Sequence, residues 1–183
     1  MKKALTVTAF IAASLATSMG TLASDGKITI NGLVTDSSCS IAVNGGSGEA
    51  TVTLPTVSTS SLAAAGDVAG ATPIVMQLTG CPSSGSVRAF FETDNVDVGT
   101  GYLVNNAVAG ADNVEVQIVN GMDGSEINLG DNTGNDYVDF VSTGGESGAE
   151  GSATLNYAAQ YVALDAATAG KVETALVYTL DYQ

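Results

Sequence analysis

The chain ends with the stretch Gly170-Lys171-Val172-Glu173-Thr174-Ala175-Leu176-Val177-Tyr178-Thr179-Leu180-Asp181-Tyr182-Gln183. Successive side chains of a β-strand point to opposite faces of the sheet. Six alternate residues therefore share one largely apolar face, namely Val172, Thr174, Leu176, Tyr178, Leu180 and Tyr182. The opposite face is mixed, as in a sheet with one side on a core and one side nearer water. The pattern predicts one unbroken strand that ends with the chain and finds its partner strands elsewhere.

The middle of the chain has the pattern of an antiparallel β-sandwich. Short runs rich in Val, Ile, Thr and Tyr alternate with clusters of Gly, Asn, Asp and Ser. Further strands are predicted within residues 27–43, 50–54, 73–78, 86–93, 102–104, 114–119, 127–129, 137–141 and 152–164. One helical turn is predicted in residues 58–66, with Ser60 or Ser61 as its cap. No internal repeat and no second domain is evident, so we expect a single all-β domain.

The first 23 residues have the pattern of an export signal. Lys2 and Lys3 give a basic start, residues 5–16 are an apolar run, and small residues lead up to Ala23. The apolar run is too short to span a bilayer. An uncleaved anchor or a buried helix is the alternative. Cleavage would leave residues 24–183, enough chain for a real core, with no membrane insertion afterwards.

The charge of the chain excludes one class of partner. The full sequence has a formal net charge of −14, and removal of the signal leaves three basic residues against nineteen acidic ones. A surface this acidic repels phosphate backbones, so we expect no nucleic-acid partner. Solubility of an exported protein explains such a charge without any partner.

The two cysteines of the chain, Cys39 and Cys81, predict one disulfide. An exported chain meets an oxidising compartment, where paired cysteines form and persist. Two free thiols are the alternative. Closing a loop of roughly forty residues constrains the unfolded chain by about 4 kcal/mol in the chain-entropy account. Export together with a disulfide indicates the periplasm or the cell surface.

Catalytic and metal-binding patterns are weak. The chain has no histidine, the usual base of a catalytic triad. Acid pairs such as Glu92 with Asp94 are typical of solvated turns rather than of glycosidase carboxylates. Residues 131–136 are oxygen-rich like a calcium loop, but glycine is missing at the sixth position and glutamate at the twelfth. We therefore predict neither an enzyme nor a site for a cofactor or metal.

Residues 24–35 contain a second alternating segment, ahead of Cys39. Ile28, Ile30, Gly32 and Val34 share its apolar face. Asn31-Gly32 is a strong hairpin signal, which favours pairing within the same domain. The two arms would be so short that an isolated hairpin is marginal. The alternative is a straight strand that is lent to another copy of the protein.

Several motifs, taken together, resemble the pilin subunits of chaperone-usher fimbriae, near the type 1 and type 3 major subunits of Gram-negative bacteria. The motifs cover nearly the whole mature chain in the right order: residues 26–34 leading into Cys39-Ser40-Ile41, Leu62-Ala63, Val75-Met76-Gln77-Leu78-Thr79-Gly80-Cys81, Tyr157-Ala158-Ala159-Gln160-Tyr161, and the terminal strand with Gly170 and Tyr182. Each motif is degenerate, but their combination is specific.

The resemblance implies an incomplete immunoglobulin-like β-sandwich, with residues 1–23 as signal peptide, 24–35 as donor strand and 36–183 as pilin domain. The groove left by the missing strand would be bordered by the first and C-terminal strands. Its acceptor and chaperone-binding residues would be Gly170, Val172, Thr174, Leu176, Tyr178, Leu180 and Tyr182. The side chains entering a neighbour's groove would come from Ile28, Ile30 and Val34, with Gly32 at the family's glycine position.

The resemblance also implies the partners and the role. Identical subunits would form a linear filament, assembled with a periplasmic chaperone and an outer-membrane usher and displayed on the surface of a Gram-negative bacterium. The expected role is the structural shaft subunit of an adhesive pilus. A minor or adhesive subunit that binds a receptor is the alternative.

Overall fold

The computed structural model describes residues 39–142 and 150–183. These residues belong to one compact unit, residues 35–183. The expectations for the signal peptide and for Ile28, Ile30, Gly32 and Val34 lie outside the described residues. Within the two described ranges, no helix is long and apolar enough to cross a membrane.

The described residues form strands joined by turns and loops, with a single 3-10 turn at Thr59–Ser61. The strands are β1 (Ser40–Val43), β2 (Val68–Cys81), β3 (Ser86–Phe91), β4 (Val96–Asp97), β5 (Tyr102–Leu103), β6 (Val114–Asn120), β7 (Glu126–Ile127), β8 (Val138–Asp139), β9 (Val141–Ser142), β10 (Gly151–Ala163) and β11 (Tyr178–Tyr182). The all-β class predicted from the alternation is confirmed.

The strands form two sheets. The larger sheet has the order β1-β2-β10-β6-β5-β4, with β7 added beside β6 and β9 beside β10. The smaller sheet has the order β11-β3-β8. All of these strand pairs are antiparallel. The C-terminal strand β11 is therefore an edge strand of the smaller sheet.

A single main core joins residues of both sheets. Leu78, Ile118 and Leu155 of the larger sheet and Val87 and Phe91 of the smaller sheet are almost completely buried. Complete burial of side chains of this size stabilises a fold by roughly 1.5–3 kcal/mol each. The rings of Phe91 and Tyr157 meet edge-to-face, with their centroids 5.1 Å apart. The strands predicted within residues 114–119 and 152–164 supply much of this core.

Strand β2 begins five residues earlier than the predicted start at Pro73. Proline cannot donate a backbone hydrogen bond, so it is tolerated where one side of a strand has no partner. The neighbouring strand β1 ends at Val43, opposite Met76, and the side chain of Asn44 then accepts a hydrogen bond from the Val75 amide (2.8 Å). Pro73 lies just beyond that end, and the strand continues through it.

The predicted helical turn exists, but its cap is different. The side chain of Ser58, rather than Ser60 or Ser61, accepts a hydrogen bond from the Ser60 amide. A cap residue has extended backbone angles, which only the residue ahead of the turn adopts here.

The polar residues of β6 are buried although their side chains lie on the face of the strand opposite the main core. Glu115 is 5% exposed and Gln117 is 6% exposed. The Thr100 hydroxyl donates to the Glu115 carboxylate (2.8 Å), and the Gln160 amide donates to the Gln117 side chain (2.7 Å). Burial raises the pKa of Glu115. Both faces of this strand are therefore covered.

Candidate functional site

A cavity of about 1000 Å³ runs over the main core, and we call it the groove. Residues 48–54 form one wall, which we call the first wall, and residues 172–178 form the other, the C-terminal wall. Core side chains form the floor: Ile41, Val43, Ile74, Met76, Phe91, Leu103, Val116, Ile118, Tyr157, Ala159 and Tyr161. The groove is thus an apolar channel between two extended pieces of chain.

The C-terminal wall is only partly a strand, so the prediction of one unbroken strand over residues 170–183 is wrong. The ladder with β3 begins at Tyr178. Ahead of it, irregular chain supplies the partners: the carbonyls of Lys171, Glu173 and Val177 accept from the amides of Ala111 (2.9 Å), Asn106 (2.7 Å) and Glu92 (2.9 Å). The segment that faces residues 171–177 is the loop within residues 92–111, and a loop cannot continue the regular hydrogen-bond ladder between β3 and β11.

The free side of the C-terminal wall carries unpaired backbone groups. In an antiparallel pair, alternate residues direct their backbone groups to the same neighbour. The odd-numbered residues bond to β3 and the loop, so the even-numbered residues from Val172 to Tyr182 point the other way. No hydrogen bond joins their backbone groups to any other described residue. The edge is therefore open to a further strand.

The seven predicted acceptor residues do not all reach the groove. Val172, Thr174, Leu176 and Tyr178 line it. Leu180 and Tyr182 lie beyond its end, half-buried against the main core. Gly170 lies ahead of the wall, so close to the backbone of Ala111 that a Cβ at this position would overlap it.

The first wall was predicted as a strand over residues 50–54, and that prediction is wrong. Val52 and Leu54 are half-buried while Thr51 and Thr53 are exposed, which is the alternation of a strand. Within the part of the chain that the structure describes, however, no hydrogen bond involves the backbone of residues 51–54. A strand needs a partner strand, and the groove separates this segment from its nearest candidate.

Tyrosine hydroxyls and the disulfide fix the C-terminal wall. The Tyr178 hydroxyl donates to the carbonyl of Gly48 (2.6 Å), which links the two walls across the groove. The Tyr182 hydroxyl accepts from the amide of Cys39 (3.2 Å). The disulfide predicted between Cys39 and Cys81 is present. The last strand is thereby fastened to the start of β1.

An ion pair on the outer face holds β11 to β3. The guanidinium of Arg88 lies 3.0 Å from the carboxylate of Asp181, which also accepts from the Tyr137 hydroxyl (2.5 Å). This hydrogen bond raises the pKa of Tyr137. Alternation along one segment does not indicate this cluster, because its members are far apart in the chain.

The opposite edge of β3 is closed by two asparagine side chains. Asn132 accepts from the Phe91 amide (2.9 Å) and donates to the Phe91 carbonyl (3.0 Å), as a neighbouring strand would. Asn135 donates to the Ala89 carbonyl (2.6 Å) and accepts from the Tyr157 hydroxyl (3.1 Å). Both asparagines are about 96% buried or more. These two asparagines belong to residues 131–136, the loop that is oxygen-rich like a calcium site. No cluster of three His, Cys, Asp or Glu side chains that could hold a metal occurs in the described ranges.

Replacing Asn132 by alanine is expected to lower the free energy of unfolding by about 2–4 kcal/mol, because it leaves two buried backbone groups of Phe91 without partners. Urea unfolding of the mature chain measures the change. The matched control is Asn106→Ala, whose exposed side chain makes one bond to Asn95. Equal losses in the two variants would contradict the role given to Asn132.

Comparison with known proteins places the chain in a family. Residues 54–183 match the family model FimA, type-1 fimbrial protein, A. The chain is 42% identical over 174 residues to the F17 fimbrial protein of Escherichia coli, covering 92% of this chain and 93% of the relative. It is also 42% identical to the major fimbrial subunit SMF-1 of Stenotrophomonas maltophilia, covering 87% of this chain and 94% of the relative.

Solved structures show the same fold. A chaperone-usher pilus structure that describes rod uncoiling matches with a TM-score of 0.57 at 22% identity, covering 87% of this chain and 96% of that chain. The P pilus rod subunit PapA matches with a TM-score of 0.52 at 21% identity, covering 79% and 99%. The pilin form of the immunoglobulin-like sandwich, predicted as the fold class, is confirmed. With relatives this similar along nearly their whole length, the chain belongs to the type-1 fimbrial protein family, the pilin subunits of chaperone-usher fimbriae.

Proposed function

We propose that this chain is the repeating structural subunit of an adhesive pilus shaft and that it polymerises by strand donation. Residues 27–34 of one copy would fill the groove of the next copy. The observation that carries the proposal is the groove itself: in the described residues, both of its walls present backbone groups without hydrogen-bond partners. A single added strand pairs with both walls at once.

The energetics of the contact favour a stable filament. Ile28, Ile30 and Val34 would bury their side chains over the apolar floor, each contributing on the order of 1.5–3 kcal/mol. Backbone pairing along both walls adds direction and register. The donating segment and the receiving groove are different surfaces, so the contact is heterologous and generates an open filament. The assembly needs no covalent chemistry, which agrees with a structural rather than an enzymatic role.

Before assembly the groove needs another occupant. An open apolar channel with unpaired edges invites aggregation. We propose that a periplasmic chaperone lends a strand along residues 172–182 and that an outer-membrane usher exchanges it for the donor strand of the next subunit. The filament would then stand on the surface of a Gram-negative cell.

The names of the relatives favour a shaft subunit over a minor one. A relative that is 42% identical is named a major fimbrial subunit, whereas the relative named minor fimbrial subunit HifD, from Haemophilus influenzae, is 34% identical. The experiment is immunogold electron microscopy of filaments sheared from cells that make this chain, with mass spectrometry of the subunits. We expect labels along the whole length and this chain as the most abundant protein. Labels confined to one end would show a minor or adhesive subunit instead.

A further inference from the structure

Thr174 is the polar exception among the side chains that the C-terminal wall turns toward the core. Its hydroxyl oxygen is buried and has no hydrogen-bond partner among the described residues. By contrast, both tyrosine hydroxyls of the same face have hydrogen-bond partners: that of Tyr178 bonds to Gly48, and that of Tyr182 bonds to Cys39. Thr174 also lines the groove. A fully buried hydroxyl without a partner is rare in folded proteins and calls for an explanation.

The side chains around this wall do not serve Thr174. The Asn95 amide donates to the carbonyl of Ala175 (3.1 Å), and the Asn105 side chain bonds to the backbone of Lys171 and Glu173 (both 3.0 Å). These bonds lie on the opposite side of the wall. Valine has the same shape as threonine and would avoid the cost of the unpaired hydroxyl in an empty groove.

We propose that the Thr174 hydroxyl hydrogen-bonds to the main chain of the strand that a neighbouring copy inserts into the groove, at that copy's Gly32. The inference rests on the proposed function and names the contact that sets the register of the inserted strand. It makes Thr174 a specificity-determining residue of assembly.

The choice of Gly32 follows from the donor sequence. Successive residues of a strand point to opposite faces. When the face with Ile28, Ile30, Gly32 and Val34 points into the groove, Thr29 and Asn31 therefore point away from it. The three aliphatic side chains of the inward face carry no polar atom. At Gly32 no side chain covers the inward side of the donor backbone, so a hydroxyl on the inward face of the wall can approach the main chain closely there.

This contact would prevent a slip of the inserted strand. A shift by two residues keeps the apolar face of a strand on the same side, so alternation alone does not fix the register of the donor. Any such shift places an aliphatic side chain opposite Thr174 and leaves its hydroxyl buried and unpaired. Only one register satisfies the hydroxyl and fills the groove.

The test uses Thr174→Val in the full chain, with two measurements expected to move in opposite directions. The refolded monomer should melt about 2 °C higher, because an unpaired buried hydroxyl is removed. Filaments should dissociate in denaturant about three- to tenfold faster, because a hydrogen bond of the occupied groove is lost. Thr174→Ser, which keeps the hydroxyl, should dissociate like the unchanged chain. Thr179→Val, on the outward face of β11, should change neither the melting temperature of the monomer nor the dissociation rate of the filaments in this direction.

A double-mutant cycle with Gly32→Ala tests the position of the contact. We expect Gly32→Ala to speed dissociation less in the Thr174→Val chain than in the unchanged chain, because the bond is already absent. Equal effects in both chains would overturn the pairing with Gly32, and Thr174→Val filaments that dissociate no faster than the unchanged filaments would overturn the role of Thr174. Failure of the proposed function looks different, since chains with Ile30→Asp would then join filaments as well as the unchanged chain.

Discussion

Replacing Ile30 by aspartate is expected to abolish filament assembly while the subunit itself still folds. Ile30 lies in the middle of the apolar face of residues 27–34. In the proposed contact its side chain enters a groove whose floor is made of core residues such as Ile118 and Phe91. The change loses the burial of a large side chain and places a charge in an apolar channel. Together these costs should weaken the contact at least about 100-fold.

The matched control is Thr29→Asp, which adds the same charge one residue away on the outward face of the segment. The yield of sheared filaments and their appearance in the electron microscope measure assembly, and circular dichroism of the monomer reports its fold. We expect filaments from Thr29→Asp and none from Ile30→Asp. Normal filaments with an unfolded Ile30→Asp monomer would show that residues 27–34 belong to their own domain.

Removing the disulfide by Cys39→Ala with Cys81→Ala is expected to cost about 4 kcal/mol of folding free energy in the chain-entropy account. The two cysteines are 42 residues apart in the sequence, so the bond closes a long loop of the unfolded chain. In the folded chain it joins the residue ahead of β1 to the last residue of β2, and the Cys39 amide also donates to Tyr182. Its loss should therefore also loosen the C-terminal wall.

Denaturant unfolding of the mature chain measures this loss, and hydrogen exchange of residues 172–182 reports the C-terminal wall together with β11. The single variant Tyr182→Phe is the control for the hydrogen bond, since it keeps the disulfide and removes only the hydroxyl. Unfolding free energies of the oxidised chain and the double variant that agree within about 1 kcal/mol would contradict the stabilising role of the disulfide.

The strands that bury one apolar face could be predicted closely from the sequence. Strands β3, β6 and β10 lie within two residues of the predicted bounds. Their alternation has a period of two residues over six residues or more, and both of their edges meet partners in the fold. The same local pattern could not show where β2 starts, because that depends on where β1 ends.

The walls of the groove show what alternation leaves undetermined. Residues 51–54 and 172–177 alternate like strands, yet neither segment forms a ladder in the described residues. A strand is defined by its partner as well as by its side chains. The residues that could complete these two walls lie elsewhere, and local sequence does not say in which copy.

The asparagine contacts of β3 were not visible in the sequence either. Asn132 and Asn135 lie in a loop that resembles a calcium site, yet their side chains serve a strand more than forty residues earlier in the chain. Asn132 also has a left-handed backbone (φ 59°), which asparagine tolerates better than most residues. This backbone preference of asparagine indicates a turn, but it does not indicate which groups the asparagine side chain bonds to.

Strand donation between copies is tested by an electron cryomicroscopy map of the filament that traces the chain through residues 35–38. We expect residues 27–34 of each copy in the groove of the adjacent copy, bonded to the even-numbered backbone groups of residues 172–178. A map in which those residues complete the sandwich of their own copy would contradict it.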